Sequence, residues 1–287
     1  MTTPTVEQPA GVRPLRLWVL ALCLAGVLLL GVWGCVQASD APRTTANPAY
    51  RSGLLWDDEF SGKAGSRPNP ARWELETGPR DGMLQQYTGR SANVSVDGHG
   101  HLVITARRTA SGGYTSGAIQ TEGRFDTRYG KLEARIKLPS GQGLWPAFWA
   151  LGSNYSQVGW PQSGEIDMME NFGNDPFEIT GSIHGPWRTK HGYAVHRDER
   201  SRSSLAGGFH IYGVIWRPNA ITFTLDGRAY ATVTPRTLAP GQQWVFNKPF
   251  FLILNLAITD QWAGSPSQTR FPMSMQVDWV RVYRFNA

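Results

Sequence analysis

Residues 130–138 alternate apolar and charged side chains one by one, with Leu132, Ala134, Ile136 and Leu138 set against Lys131, Glu133, Arg135 and Lys137. A period of two predicts a β-strand with one buried face. Shorter apolar runs at 102–106, 221–225, 229–233 and 277–283 also read as strands. Two of them flank Asp226-Gly227, a dipeptide that favours tight hairpin turns. Residues 250–258 are almost wholly apolar, as expected of a strand covered on both faces. No stretch sustains a 3.6-residue period and no internal repeat is visible. Many short strands separated by turn signals predict an all-β fold, an antiparallel β-sandwich. The 32 glycines and 19 prolines supply the turn formers that such a fold needs.

A different pattern opens the chain. Residues 17–36 carry no charge and follow Arg13 and Arg16. A run of about 20 apolar residues serves for export or for spanning a bilayer. Three fates compete: cleavage after Ala38 in Val36-Gln37-Ala38, retention as an anchor with the domain outside, or lipidation at Cys35. The last has Trp33 where a small residue is usual. All three export the domain, so it is expected to be secreted or held on the outer face of the cytoplasmic membrane. Residues 1–38 are then a signal peptide or membrane anchor, 39–53 a linker rich in Ala, Ser, Thr, Pro and Asn, and 54–287 the functional domain. Both cysteines, Cys23 and Cys35, lie in the export segment, which leaves the domain without disulfides or thiol chemistry. The net charge of +6 comes from scattered basic residues, and the basic stretch at 197–202 is broken by acids. That pattern excludes a nucleic-acid footprint.

Candidate chemistry concentrates in Glu165-Ile166-Asp167-Met168-Met169-Glu170. On a regular strand Glu165 and Asp167 share a face and Glu170 points away. One extra residue in the Met168-Met169 pair, absorbed as a β-bulge, returns Glu170 to that face and leaves Ile166 and one Met for the core. Carboxylates so close cannot all ionise freely. Glycoside hydrolysis exploits that condition, with one carboxyl protonated and another ionised. Taken alone, the same row could be a solvated acidic face or a calcium site. Trp145 and Trp149, four apart, share a strand face and offer flat partners to sugar rings, or else belong to the core. Trp160, Trp187 and Trp262 lie in Gly- and Pro-rich contexts that suit a cleft rim, whereas Trp244 and Trp279 suit the core. His184, His191 and His196 match no standard zinc spacing.

The segments Gly143-Leu144-Trp145-Pro146-Ala147-Phe148-Trp149 and Gly164 through Gly173, with Asn171-Phe172-Gly173 after the acids, resemble the signature of glycoside hydrolase family 16. The longer Glu-x-Asp-x-x-Glu form is similar to the laminarinase-like, endo-1,3-β-glucanase branch. Similar features run from Asp58-Glu59-Phe60 to the strand ending at Tyr283, so the resemblance spans 54–285. It implies a jelly-roll sandwich with a concave substrate cleft and an exported, retaining endo-β-1,3-glucanase acting on laminarin-like β-glucan. It makes Glu165 the nucleophile, Glu170 the general acid and then base, and Asp167 the residue that orients Glu165. It puts Trp145 and Trp149 in the cleft and gives His184 a hydrogen bond to an acid or to the sugar. No cofactor is required for catalysis. A structural calcium away from the cleft would use Glu59 and Asp278, both hard oxygen donors. The enzyme is expected to be a monomer whose partner is its polysaccharide, touching a membrane only through its N-terminal segment.

One departure concerns selectivity: Met83, before Leu84-Gln85-Gln86-Tyr87, stands where relatives carry an acid. Other readings remain: hydrolysis of mixed-linkage β-glucan or β-galactan, transglycosylation, or a non-catalytic β-glucan-binding protein. Intact Glu165, Asp167 and Glu170 argue against the last.

Overall fold

The computed structural model describes residues 53–285, apart from Asp81 and Thr189 and the side chains of Lys190 and His191. The chain divides into a unit of Met1–Gln37 and one of Ala38–Ala287. The expected export segment and linker lie outside the described residues. Among the described residues no helix is long and apolar enough to cross a membrane.

In chain order the strands begin with β1 (Leu54–Asp58), β2 (Glu74–Glu76), β3 (Gly78–Pro79), β4 (Gln85–Tyr87), β5 (Val94–Val96) and β6 (Leu102–Arg108). They continue with β7 (Tyr114–Ser116), β8 (Ala118–Gln120), β9 (Gly130–Lys137), β10 (Leu144–Gly152), β11 (Glu165–Glu170) and β12 (Glu178–Trp187). The chain closes with β13 (Lys190–Arg200), β14 (His210–Arg217), β15 (Ala220–Leu225), β16 (Arg228–Val233), β17 (Phe250–Ile258) and β18 (Met273–Tyr283). Seven strands form one sheet in the order β13-β12-β11-β10-β17-β8-β2. The opposing sheet follows β16-β15-β14-β9-β18-β6-β7-β4-β3, with β1 on β18 and β5 on β6. This is the expected jelly-roll sandwich. Pairing is antiparallel except between β4 and β7.

The core lies between the sheets. Ile104, Leu132, Ala134, Ile136, Val214 and Val280 of one sheet meet Phe148, Ile166, Leu252 and Leu254 of the other. Each fully buried Leu, Ile or Phe stabilises the fold by about 1.5–3 kcal/mol. The long apolar run is β17, buried at every position. At the predicted hairpin, Asp226 and Gly227 both take positive φ (50° and 77°), the twist that joins β15 to β16.

One expectation needs revision. The charged face of β9 is covered in its middle, where Glu133 and Arg135 are only 6% and 5% exposed. Lys131 pairs with Glu133 at 2.7 Å, and Arg135 donates to Asp278 at 2.7 Å beneath the ring of Phe209. Charge pairing, within β9 for Glu133 and across to β18 for Arg135, makes that burial tolerable, and the alternation within one strand contains no sign of the second partner.

Candidate active site

Strand β11 runs between β10 and β12 near the centre of the seven-stranded sheet. Gly164 precedes it at φ 73°, and a Cβ there would lie 2.8 Å from Val245 and 3.1 Å from Phe250. Only glycine brings the chain into the strand so close to those side chains. The bulge forms as the sequence predicts. Asp167 pairs with Trp149 and Met169 with Phe148, which leaves Met168 without a partner on β10. On β12, Asp167 and Glu170 oppose Ser182 and Thr180. Five steps on β11 therefore match four on each neighbour, and Glu165, Asp167 and Glu170 all line one pocket. Ile166, Met168 and Met169 are buried in the core, so both methionines face it rather than one.

The floor of the cleft is a second apolar cluster of Ala147, Trp149, Leu151, Phe251 and Ile253. Hollows extend to both sides of the acidic row. One, of about 960 Å³, is lined by Arg80, Met83, Trp149, Trp160 and Phe251; the other, of about 570 Å³, by Phe172, Glu178, His184, His196 and Trp262. Trp145 and Glu165 border both.

Each acid has its own partners. Trp145 Nε1 donates to Glu170 Oε1 at 3.1 Å, and Ser182 Oγ donates to Glu170 Oε2 at 3.2 Å. His184 Nε2 lies 3.0 Å from Asp167 Oδ2 and 3.7 Å from Glu165 Oε1. Glu165 and Asp167 also share a hydrogen bond. Burial pushes the Glu165 carboxyl up to about 8, the charge of Asp167 adds to the shift, and His184 opposes it. Burial likewise holds Asp167 well above its ordinary value, with Glu170 adding. Glu170 is raised by burial against the opposing pull of His184, Ser182 and Trp145. Three carboxyls with poor access to water thus titrate as a unit that retains protons at neutral pH. General acid catalysis requires such a group.

The aromatic candidates divide. Trp145 lines the cleft and meets the half-exposed Trp262 edge-on, with centroids 5.2 Å apart. Trp149 is buried in the floor, its Nε1 donating to Asn255 at 2.7 Å while Arg80 sits over its ring at 5.0 Å. Trp160 is 41% exposed and lies 6.1 Å from the His184 ring. Trp187 corrects the expectation. Its Nε1 donates to the Pro240 carbonyl at 3.2 Å, Gly241 packs against the indole, and it lines none of the cleft hollows described above. Its ring is occupied in holding the loop before β17. Trp279 is buried at 3%, as expected of a core residue, and Trp244 packs half-buried against the core.

The calcium pair is also corrected. Asp278 accepts from Arg135 at 2.7 Å, and Arg281 grips both oxygens of Glu59 at 2.7 and 2.9 Å. Guanidinium groups already neutralise these carboxylates, so the donor set does not fit a divalent cation. Among the described residues, Glu165, Asp167 and His184 are the one group with three ligand-type atoms mutually within 4.8 Å. His184 Nε2 faces both carboxylates, 3.0 Å from Asp167 and 3.7 Å from Glu165, and we assign these side chains to the acidic row.

Several participants escaped the sequence reading. Arg80, Tyr87 and Asn255 line the pocket beside Trp149, and Asn255 donates to the Tyr87 hydroxyl at 3.1 Å. A lone Asn inside an otherwise apolar run was a signal for Asn255. Ser182 and His196 carried no comparable mark.

A sequence model described as Glycosyl hydrolases family 16 matches residues 83–281. Beta-glucanase from Rhodothermus marinus is 36% identical over 247 residues, covering 81% of this chain and 85% of that protein. The solved endo-beta-1,3-glucanase from Pyrococcus furiosus superposes with a TM-score of 0.73 at 41% identity, over 82% of this chain and 95% of that one. The laminarinase catalytic domain from Thermotoga maritima MSB8 gives 0.72 at 38% identity, over 82% and 98%.

Proposed function

Because this chain belongs to glycoside hydrolase family 16, we propose that it is an exported endo-β-1,3-glucanase that cleaves laminarin-like β-glucan with retention of configuration. The observation that carries this reading is the row of three carboxyls, Asp167 buried and Glu165 and Glu170 partly exposed, set across a cleft that continues on both sides. A polymer can run through such a cleft, which suits attack on internal bonds. Trp145, Trp149, Trp160 and Trp262 offer indole surface along it.

In this mechanism the coupled row places its shared proton on Glu170 and leaves Glu165 ionised; Glu165 then attacks the anomeric carbon as the glycosidic C–O bond breaks, and Glu170 protonates the departing oxygen. Glu170, now a carboxylate, takes a proton from the water that attacks the glycosyl–Glu165 bond, and Glu165 is released. The hydrogen bonds from Trp145 and Ser182 strengthen as Glu170 gains charge. Asp167, held by His184, keeps Glu165 oriented. Glu170 serves the leaving group, so the His196 side of the cleft takes the leaving portion and the Arg80 side the glycosyl portion.

The test is digestion of a polysaccharide panel by the purified protein. Laminarin should yield mixed oligosaccharides faster than lichenan or agarose, with the first-formed reducing ends in the β configuration by NMR. Release from a galactan but not from laminarin would overturn the substrate. An α product would overturn retention. Export predicts that the protein is found in the medium or accessible to protease on intact cells; a protease-protected protein inside the cell would refute it.

A further inference from the structure

The acid Glu170 is connected to a residue that the mechanism above does not use. Ser182 Oγ bridges Glu170 Oε2 at 3.2 Å and His196 Nδ1 at 2.9 Å. Ser182 is fully buried, so no water competes for its single proton, whereas His196 is exposed on the edge strand β13. One hydroxyl proton cannot be donated in two directions. With His196 Nδ1 bare, Ser182 donates to the imidazole and its oxygen is free to accept from a protonated Glu170. With a proton on Nδ1, the imidazole donates to Ser182, which must turn its own proton toward Glu170 and so favours the carboxylate. We propose that His196 is a positioning residue for the general acid/base, setting through Ser182 the direction of the hydrogen bond made to Glu170. This rests on the assignment of Glu170 given above.

The groups facing this chain are few. His184 on β12 lies 5.8 Å from the His196 ring, centroid to centroid, and Asp198 stands two residues along β13. Glu170 lies across on β11, with Glu165 and Asp167 beyond it at 3.7 and 3.0 Å from His184 Nε2. Partial burial and the nearby His184 hold His196 below its ordinary value, against the opposing charge of Asp198. The imidazole is therefore neutral at neutral pH, and its exposed face can exchange protons with water as the tautomer changes. Glu170 needs both arrangements in turn, protonated before the first step and ionised before the second.

His196→Ala decides the matter. Ser182 would then always donate to Glu170 and stabilise its ionised form. The alkaline limb of the kcat/KM profile, where the acid loses its proton, should move down by about one pH unit. On the alkaline side of the limb, kcat/KM on laminarin should fall about tenfold, while a dinitrophenyl glycoside, which needs no protonation, should be cleaved as before. His196→Asn returns an acceptor near the Nδ1 position and should restore the limb. In a Ser182→Ala background, His196→Ala should have no further effect. An unmoved limb, equal losses on both leaving groups, or full additivity with Ser182→Ala would overturn the proposal. If Ser182→Ala does not fold, the limb and its rescue by Asn decide alone. Failure of the unsubstituted protein to cut any β-glucan would instead remove the functional reading on which the proposal stands.

Discussion

Two bulged strands on opposite sheets bury acids in opposite ways. In β11 the extra residue is the apolar Met168, and its insertion turns Glu170 into line with Glu165 and Asp167. In β18 the register shifts between Val277 and Trp279, so the extra residue is the acid itself, Asp278. Asp278 is 2% exposed and held by Arg135; Glu59, in the segment after β1, is held by Arg281. Among the described residues no guanidinium bonds the acids of β11, whose carboxyls are raised mainly by burial. Where arginine neutralises an acid, burial serves the fold. Where acids are crowded without one, burial holds protons and tension available for chemistry, at a cost to stability.

The sharpest break of this contrast is to remove the cleft acids. Glu165→Ala and Glu170→Ala should each lower kcat/KM on laminarin by about 100- to 10,000-fold or more. Added azide should separate their roles on an aryl glycoside with a good leaving group. Glu170→Ala still forms the glycosyl intermediate, so azide attacks it and gives the β-azide. Glu165→Ala lets azide enter from the opposite face in one displacement, giving the α-azide. The same anomer from both variants would reverse the assignment.

Deleting Met168 tests the bulge. Without it Glu170 leaves the cleft face or shifts by about 3.3 Å, and activity should fall by about 100-fold or more while the sandwich still forms. Near-normal activity would show that register does not set the row.

On the other strand the loss should be in stability. Arg135→Met strands a buried carboxylate and should cost about 3–5 kcal/mol in urea unfolding, with activity per folded molecule unchanged. Arg135→Met combined with Asp278→Leu should recover most of it. A double variant as unstable as the single one would mean that the pair contributes more than mutual neutralisation.

The smallest effect concerns pH. A carboxyl raised by folding adds stability while it is protonated, fully below its unfolded value near 4.5, and that stability is lost as pH rises through about 8. Glu165→Gln removes the charge that must be buried. Its Tm should match the unsubstituted protein at acid pH and exceed it by roughly a few degrees under alkaline conditions. Parallel Tm–pH curves for the two proteins would contradict the raised value.

The amino-acid sequence by itself determined what depends on near neighbours along the chain. The alternation of Leu132, Ala134 and Ile136, the Asp226-Gly227 turn and the apolar Phe250–Ile258 run each reflect one strand and its own two faces. The bulge belongs with them, because six consecutive residues contain both the acids and the extra Met that aligns them. Only the tertiary structure decided which distant residues meet. Pairing of β10 with β17 sets Asn255 beside the Trp149 indole, and pairing of β12 with β13 sets His196 against Ser182. The same long-range registers hold Trp187 on its loop and match Asp278 to Arg135. A side chain's type fixes what it can bond to, but its partner is whatever the opposing strand presents, and strand order is set by the burial of the whole core.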